Sequence, residues 1–341
     1  MTATSHDVAR LAGVSQPTVS RALRDDPRVT QATRDRVRQA ADDLGYVPSE
    51  LGRSLSTRST RQVAMVADLR NALYPALVEP LHDRFAELGL RMVLLAERGD
   101  DQATYERVLD RSVDGVVLTT TLIGSSLSSG LVERGVPLVE LNRLSGRAGV
   151  DGVTADNVAA GSSMARLLLA EGHRRIGAVF GSRDASTSLE REKGFRAVLA
   201  EQSVDLPDDW VAYGGFGYED GERGFAAVMG STDRTGGRQR PTAVFCLGDL
   251  VAVGALNQAR RMGLAVPADV AVVGVDDIAM AAWPCFDLTT VRLDLDGMAV
   301  AAADVLARRL GGDSSDAGIQ VFPTEVVLRG THPMSRQEEM S

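Results

Sequence analysis

Cysteine is scarce. Two residues in 341, Cys246 and Cys285, sit in apolar stretches without a CxxC or Cys/His spacing. Neither a disulfide framework nor a zinc module can therefore organise the fold, and both thiols are expected to be reduced and space-filling. The four histidines, His6, His82, His173 and His332, are scattered without ligand spacing, so no metal and no histidine-dependent catalysis is expected. No uninterrupted apolar run approaches the roughly 20 residues a spanning helix needs. The opening MTATSHDVARLAG also lacks a secretory leader's apolar stretch and cleavage site. A cytoplasmic protein without a membrane partner is the expectation. No phosphate-cradling glycine loop follows a strand pattern: GYEDGERG is an isolated glycine spacing, and Gly161-Ser162-Ser163 is no nucleophile elbow. Catalytic residues and bound cofactors are accordingly not expected.

What is present is material for packed cores, with 44% hydrophobic and 24% charged residues. The length suits a small module joined to a larger two-lobed body. Charge is uneven: residues 1–61 carry a net +3, while 62–341 bring the whole chain to −9. A basic head on an acidic body directs nucleic acid to the head alone.

In the head, Ser5 is a candidate cap for a helix 6–12 whose Val8, Ala9, Leu11 and Ala12 form an apolar face ended by Gly13. Val14 follows as a buried pin. Ser15 is then placed to cap a second helix, 16–23, with Val19, Ala22 and Leu23 inward, and Thr30 opens a third that runs through Val37, Ala40, Ala41 and Leu44 to Gly45. Two short helices about a tight turn form a helix-turn-helix, whose second helix enters the major groove with its N-terminal residues on base edges. Gln16, Pro17 and Arg21 are the candidates for base contact: Gln suits adenine, Arg suits guanine, and Pro offers apolar contact to a thymine methyl. Ser15, Thr18, Ser20, Arg24 and Thr30 are the candidate phosphate contacts, which fix register without reading sequence. The same pattern also describes the soluble face of an ordinary helical bundle.

The string DVARLAGVSQPTVSRALRDDPRVTQATRDRVRQAADDLGYVPS decides between them, because its DVA-x-x-AGVS, TVSRAL, VT-x-x-TR and LGY-x-P closely resemble the N-terminal signature of the lactose-repressor/galactose-repressor (LacI/GalR) family. That resemblance implies a helix-turn-helix domain over 1–47 and, over 48–60, a hinge helix that pairs with its dimer mate in the minor groove. Gly52, Arg53 and Leu55 fall at the hinge's groove positions, with Leu55 as the wedge between base steps. Ser49 stands where the family usually has Asn, and Gly52 where it has a small Ala. Glycine costs about 0.5–1 kcal/mol of helix stability relative to alanine, so the hinge is expected to fold only on DNA.

From residue 62 short β-branched runs alternate with amphipathic segments. Strands are expected at 62–68, 91–96, 115–120, 137–142, 175–181, 243–247 and 270–276, and helices at 75–88, 158–171, 190–200, 250–262 and 298–310. This wiring implies parallel sheets covered on both faces, with ligands at the carboxyl ends of strands. The polar residues there are Asp68, Asn142-Arg143, Asp156, Gly248-Asp249 and Asp276-Asp277.

RIGAVFGSRDASTSLEREKGF, PTAVFCLGDLVAVGAL, VAVVGVDD and LTTVRLDLDGMAVAAADVL extend the resemblance across the body. It implies a periplasmic-binding-protein-like α/β core of two Rossmann-like lobes over 61–330, one built from 61–160 and 291–318, the other from 161–290 and 319–330, before a polar tail 331–341. Carried over by position, Asp68, Tyr74, Asn142, Asp156, Thr187, Arg191, Gly248 and Asp276 line an effector cleft. Simpler roles compete for three of them: Asp156 can cap a helix, Arg191 can pair with Glu190 or Glu192, and Tyr74 can be core. Asn142 stands where Asp is common, and Gly248 where the family often has a ligand-bonding Asn.

The function implied is a homodimeric, sequence-specific regulator of transcription, in expectation a repressor, with operator DNA and a small effector as partners. A sugar is the favoured effector, with a purine-like corepressor as the alternative. A solute-binding receptor would need a leader and no basic head, and an enzyme would need a nucleophile or metal beside its carboxylates. The tail lacks heptads, which favours a dimer over a coiled-coil tetramer.

Overall fold

A computed structural model describes residues 3–46, 59–97, 108, 112–230 and 240–332. The chain divides into two compact units, Met1–Thr60 and Arg61–Ser341.

In the first unit, helices α1 (Ser5–Ala12), α2 (Gln16–Ala22) and α3 (Gln31–Asp43) enclose Val8, Ala9, Ala12, Val19, Ala22, Val29, Val37, Ala40 and Ala41. The cap of α1 is Thr4 rather than Ser5. Asp7 at the third helical position answers the Thr4 backbone, completing a reciprocal capping box that Ser5 has no partner to form. Ser15 occupies the cap position of α2, but its hydroxyl bonds the Thr18 hydroxyl at 2.8 Å instead of a helix N–H. Thr30 caps α3 through the Thr33 N–H. Gly13 and Gly45 take the left-handed turns (φ 65° and 58°) that stop α1 and follow α3. Leu11 and Leu44, expected inside, are 55% and 37% exposed. Three short helices have too little interior to cover them.

In the body, a six-stranded parallel sheet forms from β1 (Gln62–Ala67), β2 (Arg91–Ala96), β3 (Gly115–Leu118), β4 (Leu138–Leu141), β5 (Asp151–Ala155) and β11 (Ile319–Phe322), in the order β11-β5-β4-β3-β1-β2. Its alternation serves two cores. Val63, Met65 and Val117 face α4 (Pro75–Glu87) and α10 (Leu295–Leu310), while Ala64, Val66 and Val116 face α5 (Ser126–Glu133). Burial on both faces explains the near-continuous apolar strands.

The second lobe holds a four-stranded parallel sheet, β7-β6-β8-β9, from β6 (Ile176–Phe180), β7 (Val211–Tyr213), β8 (Ala243–Cys246) and β9 (Ala271–Val273). Around it pack α6 (Asn157–Ala170), α7 (Ser186–Glu201), α8 (Tyr218–Gly230) and α9 (Asp249–Arg261). An antiparallel ribbon of β10 (Thr290–Leu293) and β12 (Thr324–Val327) completes the described strands.

The lobe boundaries differ from expectation. Residues 319–322 pair with β5 in the first sheet, so that lobe continues past 318, and α6 already packs with α7 from residue 157. The GYEDGERG motif lies at the start of α8, where its glycines serve close packing. A Cβ at Gly221 would lie 2.0 Å from the Val251 carbonyl oxygen, and one at Gly254 2.0 Å from that of Tyr218. Gly161 and Gly194 bring α6 and α7 together in the same reciprocal way. Cys246 is buried as expected and burial pushes its thiol far up, whereas Cys285 is exposed in a loop. Among the described residues no helix is long and apolar enough to cross a membrane.

Asp249, fully buried at the start of α9, ties that helix to its surroundings. Its carboxylate accepts from the Ile278 N–H at 3.0 Å and from the Thr290 hydroxyl at 2.5 Å. Burial, with the neighbouring Asp276 carboxylate adding to it, raises its pKa to about 8.

Gly221→Ala should lower the unfolding free energy by about 1–3 kcal/mol through overpacking; an unchanged urea midpoint would refute the close contact. Because the folded pKa of Asp249 exceeds the unfolded one, its contribution is complete at acid pH and is lost as pH rises toward and through 8. Melting temperature should therefore fall from pH 6 to pH 9 more steeply in the wild type than in Asp249→Asn, and parallel profiles would refute the assignment.

Candidate functional site

The outward face of α2 carries the expected base-reading residues. Pro17 and Arg21 are exposed and Gln16 is half-buried, its amide reaching the Ser5 hydroxyl at 3.4 Å. Most neighbouring arginines are engaged: Arg10 with Asp7, Arg28 with Asp26, Arg38 with Asp25. The Arg21 guanidinium makes no hydrogen bond or ion pair within the described residues. Arg24 is held by Ser20, through both its carbonyl and its hydroxyl. Ser15, Thr18 and Thr30 lie at helix starts with their hydroxyls paired. The hinge positions Gly52, Arg53 and Leu55 lie outside the described residues.

In the body, strand order locates the cleft. The first sheet reverses direction of growth between β1 and β3, and the second between β6 and β8, and such switch points open a crevice beyond the strand ends. Two cavities lie there, of about 640 Å³ and 370 Å³, both walled by Asp68, Arg70 and Arg143. The larger also touches Tyr74 and Phe216, the smaller Thr120 and Asp184. Inter-lobe hydrogen bonds close one side: Ile123 N–H to the Asp184 carbonyl at 2.7 Å, and Leu144 N–H to the Ser186 hydroxyl at 2.9 Å.

Beneath the cleft, Arg191 is 2% exposed. It donates to Asn157 Oδ1 at 2.9 Å and to the Leu247 carbonyl at 2.7 Å, and its Nη2 stands 2.9 Å from Asp276 Oδ1. Its sequence neighbours are not its partners, since Glu192 pairs with Arg196. The Asp276 contact is an ion pair without hydrogen-bond alignment, which leaves Oδ1 able to accept from a ligand. Burial raises the Asp276 carboxyl and Arg191 opposes that shift. Asn142 and Asp276 both sit at strand ends with positive φ, 73° and 127°, a costly backbone found where function imposes it. A Cβ at Gly248 would lie 3.1 Å from Asp276 Oδ2, so the glycine leaves space beside the pair.

The other expected residues divide. Asp68 lines both cavities with its carboxylate gripped by Arg70 at 2.7 and 2.8 Å, which holds its pKa below the usual range. Tyr74 is 1% exposed, at once core and cavity wall, and its hydroxyl makes no hydrogen bond among the described residues. Asp156 caps α6, accepting the Ala159 N–H at 2.8 Å. Thr187 is buried in the first turn of α7. Asn142, Asp156, Thr187, Arg191, Gly248 and Asp276 do not line either open cavity.

Arg143 was visible as a strand-end residue but not among the expected effector contacts. It is 8% exposed, and its guanidinium stacks on Phe216 at 3.8 Å from the ring centroid, across the lobes. Phe216 follows the unpredicted strand β7, so sequence gave no sign of the pairing. Among the described residues no cluster of His, Cys, Asp and Glu could hold a metal ion.

Comparison with known proteins places this architecture. Residues 4–49 match "Bacterial regulatory proteins, lacI family", and residues 165–332 match "Periplasmic binding protein-like domain". The HTH-type transcriptional repressor PurR of Salmonella paratyphi B is 32% identical over 334 residues, covering 96% of each protein. A structure of a transcriptional regulator CelR-cellobiose complex is 31% identical with a TM-score of 0.73, covering 96% of this chain and 99% of that one. The lac repressor dimer bound to operator and the anti-inducer ONPF shares the fold, with a TM-score of 0.83 at 22% identity over 97% of this chain and 99% of that one. Given a 32% identical relative matched over 96% of the chain and that family's profile on the head, the chain belongs to the lacI family of bacterial regulatory proteins.

Proposed function

We propose that this protein represses transcription from the cytoplasm as a homodimer. Its α2 helix reads an operator half-site, and a small effector held between the two lobes of the body sets its affinity for DNA. The carrying observation is Arg21, exposed and without a hydrogen bond or ion pair among the described residues, on the outward face of the second helix of a helix-turn-helix, while Arg10, Arg28 and Arg38 are tied to carboxylates and Arg24 to Ser20. A two-fold protein needs two half-sites about one turn apart. Gln16, Pro17 and Arg21 read base edges; Ser15, Thr18, Ser20, Arg24 and Thr30 position the phosphates; and Gly52, Arg53 and Leu55 enter the minor groove.

The effector reading rests on the paired Arg191 and Asp276 beneath a cleft of ligand size. Asp68, Tyr74, Asn142, Asp156, Thr187 and Gly248 complete the assigned set, with Asp156 acting through the helix it caps. A sugar is the favoured class, in keeping with the cellobiose-bound relative, and a purine-like corepressor is the alternative raised by the similarity to PurR.

Arg21→Ala should cost about 1–3 kcal/mol on a preferred operator and relax the base preference at one position of each half-site. An equal loss on all duplexes would reduce Arg21 to a phosphate contact. Removing Arg191 strands a buried carboxylate, so Arg191→Ala should lower stability by about 3–5 kcal/mol. Asp276→Asn keeps the shape and should weaken the effector by about 1–3 kcal/mol. Calorimetry showing unaltered effector affinity in Asp276→Asn would move the site elsewhere.

A further inference from the structure

The carboxylates around the two cavities are accounted for. Asp68 is gripped by Arg70, Asp220 by Arg223 and the Gly217 N–H, and Glu97 accepts the Thr120 hydroxyl. Asp184 and Glu219 are exposed to water. Arg143 differs. It is 8% exposed and lines both cavities; the Asp68 and Asp276 carboxylates act on it from a distance, but among the described residues none lies within ion-pair range of it. Its Nε is buried without a hydrogen-bond partner.

A guanidinium removed from water needs both charge compensation and acceptors for its N–H groups. Phe216, at 3.8 Å, covers one face of the guanidinium, and Tyr74 lies 5.8 Å away. Such stacking satisfies the plane's face and leaves its edge, where the N–H groups lie, to other partners; of these the Nε–H is buried without an acceptor. The edge of a guanidinium is the complement of two oxygens sharing a negative charge. The Tyr74 hydroxyl, on the ring 5.8 Å from this guanidinium, is also buried and makes no hydrogen bond among the described residues.

We propose that the effector carries an anionic oxygen group, a carboxylate or a phosphate, which docks edge-on against Arg143 while Phe216 holds the guanidinium plane. This rests on the effector-cleft reading and narrows its ligand class from polar metabolites to acidic ones, such as sugar acids or sugar phosphates.

The test uses the full-length protein and four probes at matched ionic strength: inorganic phosphate, glucuronate, glucose 6-phosphate and neutral cellobiose. Thermal shift and calorimetry are run on the wild type, Arg143→Gln, Arg143→Lys and Asp276→Asn, with circular dichroism confirming that each variant folds. Phosphate should stabilise the wild type relative to chloride, and at least one acidic sugar should bind roughly tenfold or more tightly than cellobiose. Arg143→Gln should erase both effects, and Arg143→Lys should retain part of them. The two acidic sugars distinguish carboxylate from phosphate as the source of the charge. Absence of a phosphate effect, or its survival in Arg143→Gln, overturns the proposal. Cellobiose binding that depends on Asp276 but not Arg143 would overturn it while leaving the cleft reading intact. Arg143-dependent binding of phosphate with no sugar bound would do the reverse for the sugar reading.

Discussion

A charge buried in a protein must be answered by its surroundings, and in the second lobe Arg191 is answered from three directions. Asn157 comes from the start of α6, the Leu247 carbonyl from the end of β8, and Asp276 from the loop beyond β9. One side chain thus fixes the relative placement of a helix start and two strand ends, and these are the elements that form the cleft floor. The arrangement demands close packing around it. Gly161 allows α6 to approach the backbone of Arg191 itself, where a methyl group would lie 2.0 Å from the carbonyl oxygen. The strained backbone at Asp276 is held by a hydrogen bond from its N–H to the Val291 carbonyl at 2.8 Å.

Cleft and core are therefore not separate problems in this lobe. Asp249 shows the connection: its carboxylate joins α9 to Thr290 and to the Ile278 backbone, and it interacts electrostatically with Asp276. The floor is also joined to β10, which runs alongside the loop through the Asp276–Arg292 bridge. A ligand that compensates Asp276 differently in two states of the lobes has the differential interaction needed to shift them.

Much of this was readable in the residues, for reasons that differ by place. The head was legible because glycine stops and the spacing of Val8, Val19 and Val37 are local signals; the caps were only partly so, since Thr30 caps α3 but Thr4 takes the place expected of Ser5 and Ser15 bonds Thr18, and Leu11 and Leu44 were misplaced because periodicity alone does not say how much interior three helices can enclose. Strand β2 was read at its true bounds because its apolar run is bracketed by Gly and a charged pair. Strand β5, opening Asp151-Gly152, has low β-propensity and is specified by its place between β4 and β11. Helix α8 was hidden by its glycines, which weaken a helix in isolation and are required by its contact with α9. The cleft residues came by resemblance, but the partners of Arg191 and the stacking of Arg143 on Phe216 are long-range contacts that no local pattern encodes.

The central claim, that the α2 face reads DNA for a two-fold protein, is tested most directly by selecting duplexes bound by the full-length chain from a randomised pool. Enrichment of a nearly palindromic sequence, with half-sites about one helical turn apart, is the expected result. Recovery of no common sequence, or of an asymmetric site bound by one head alone, would contradict it.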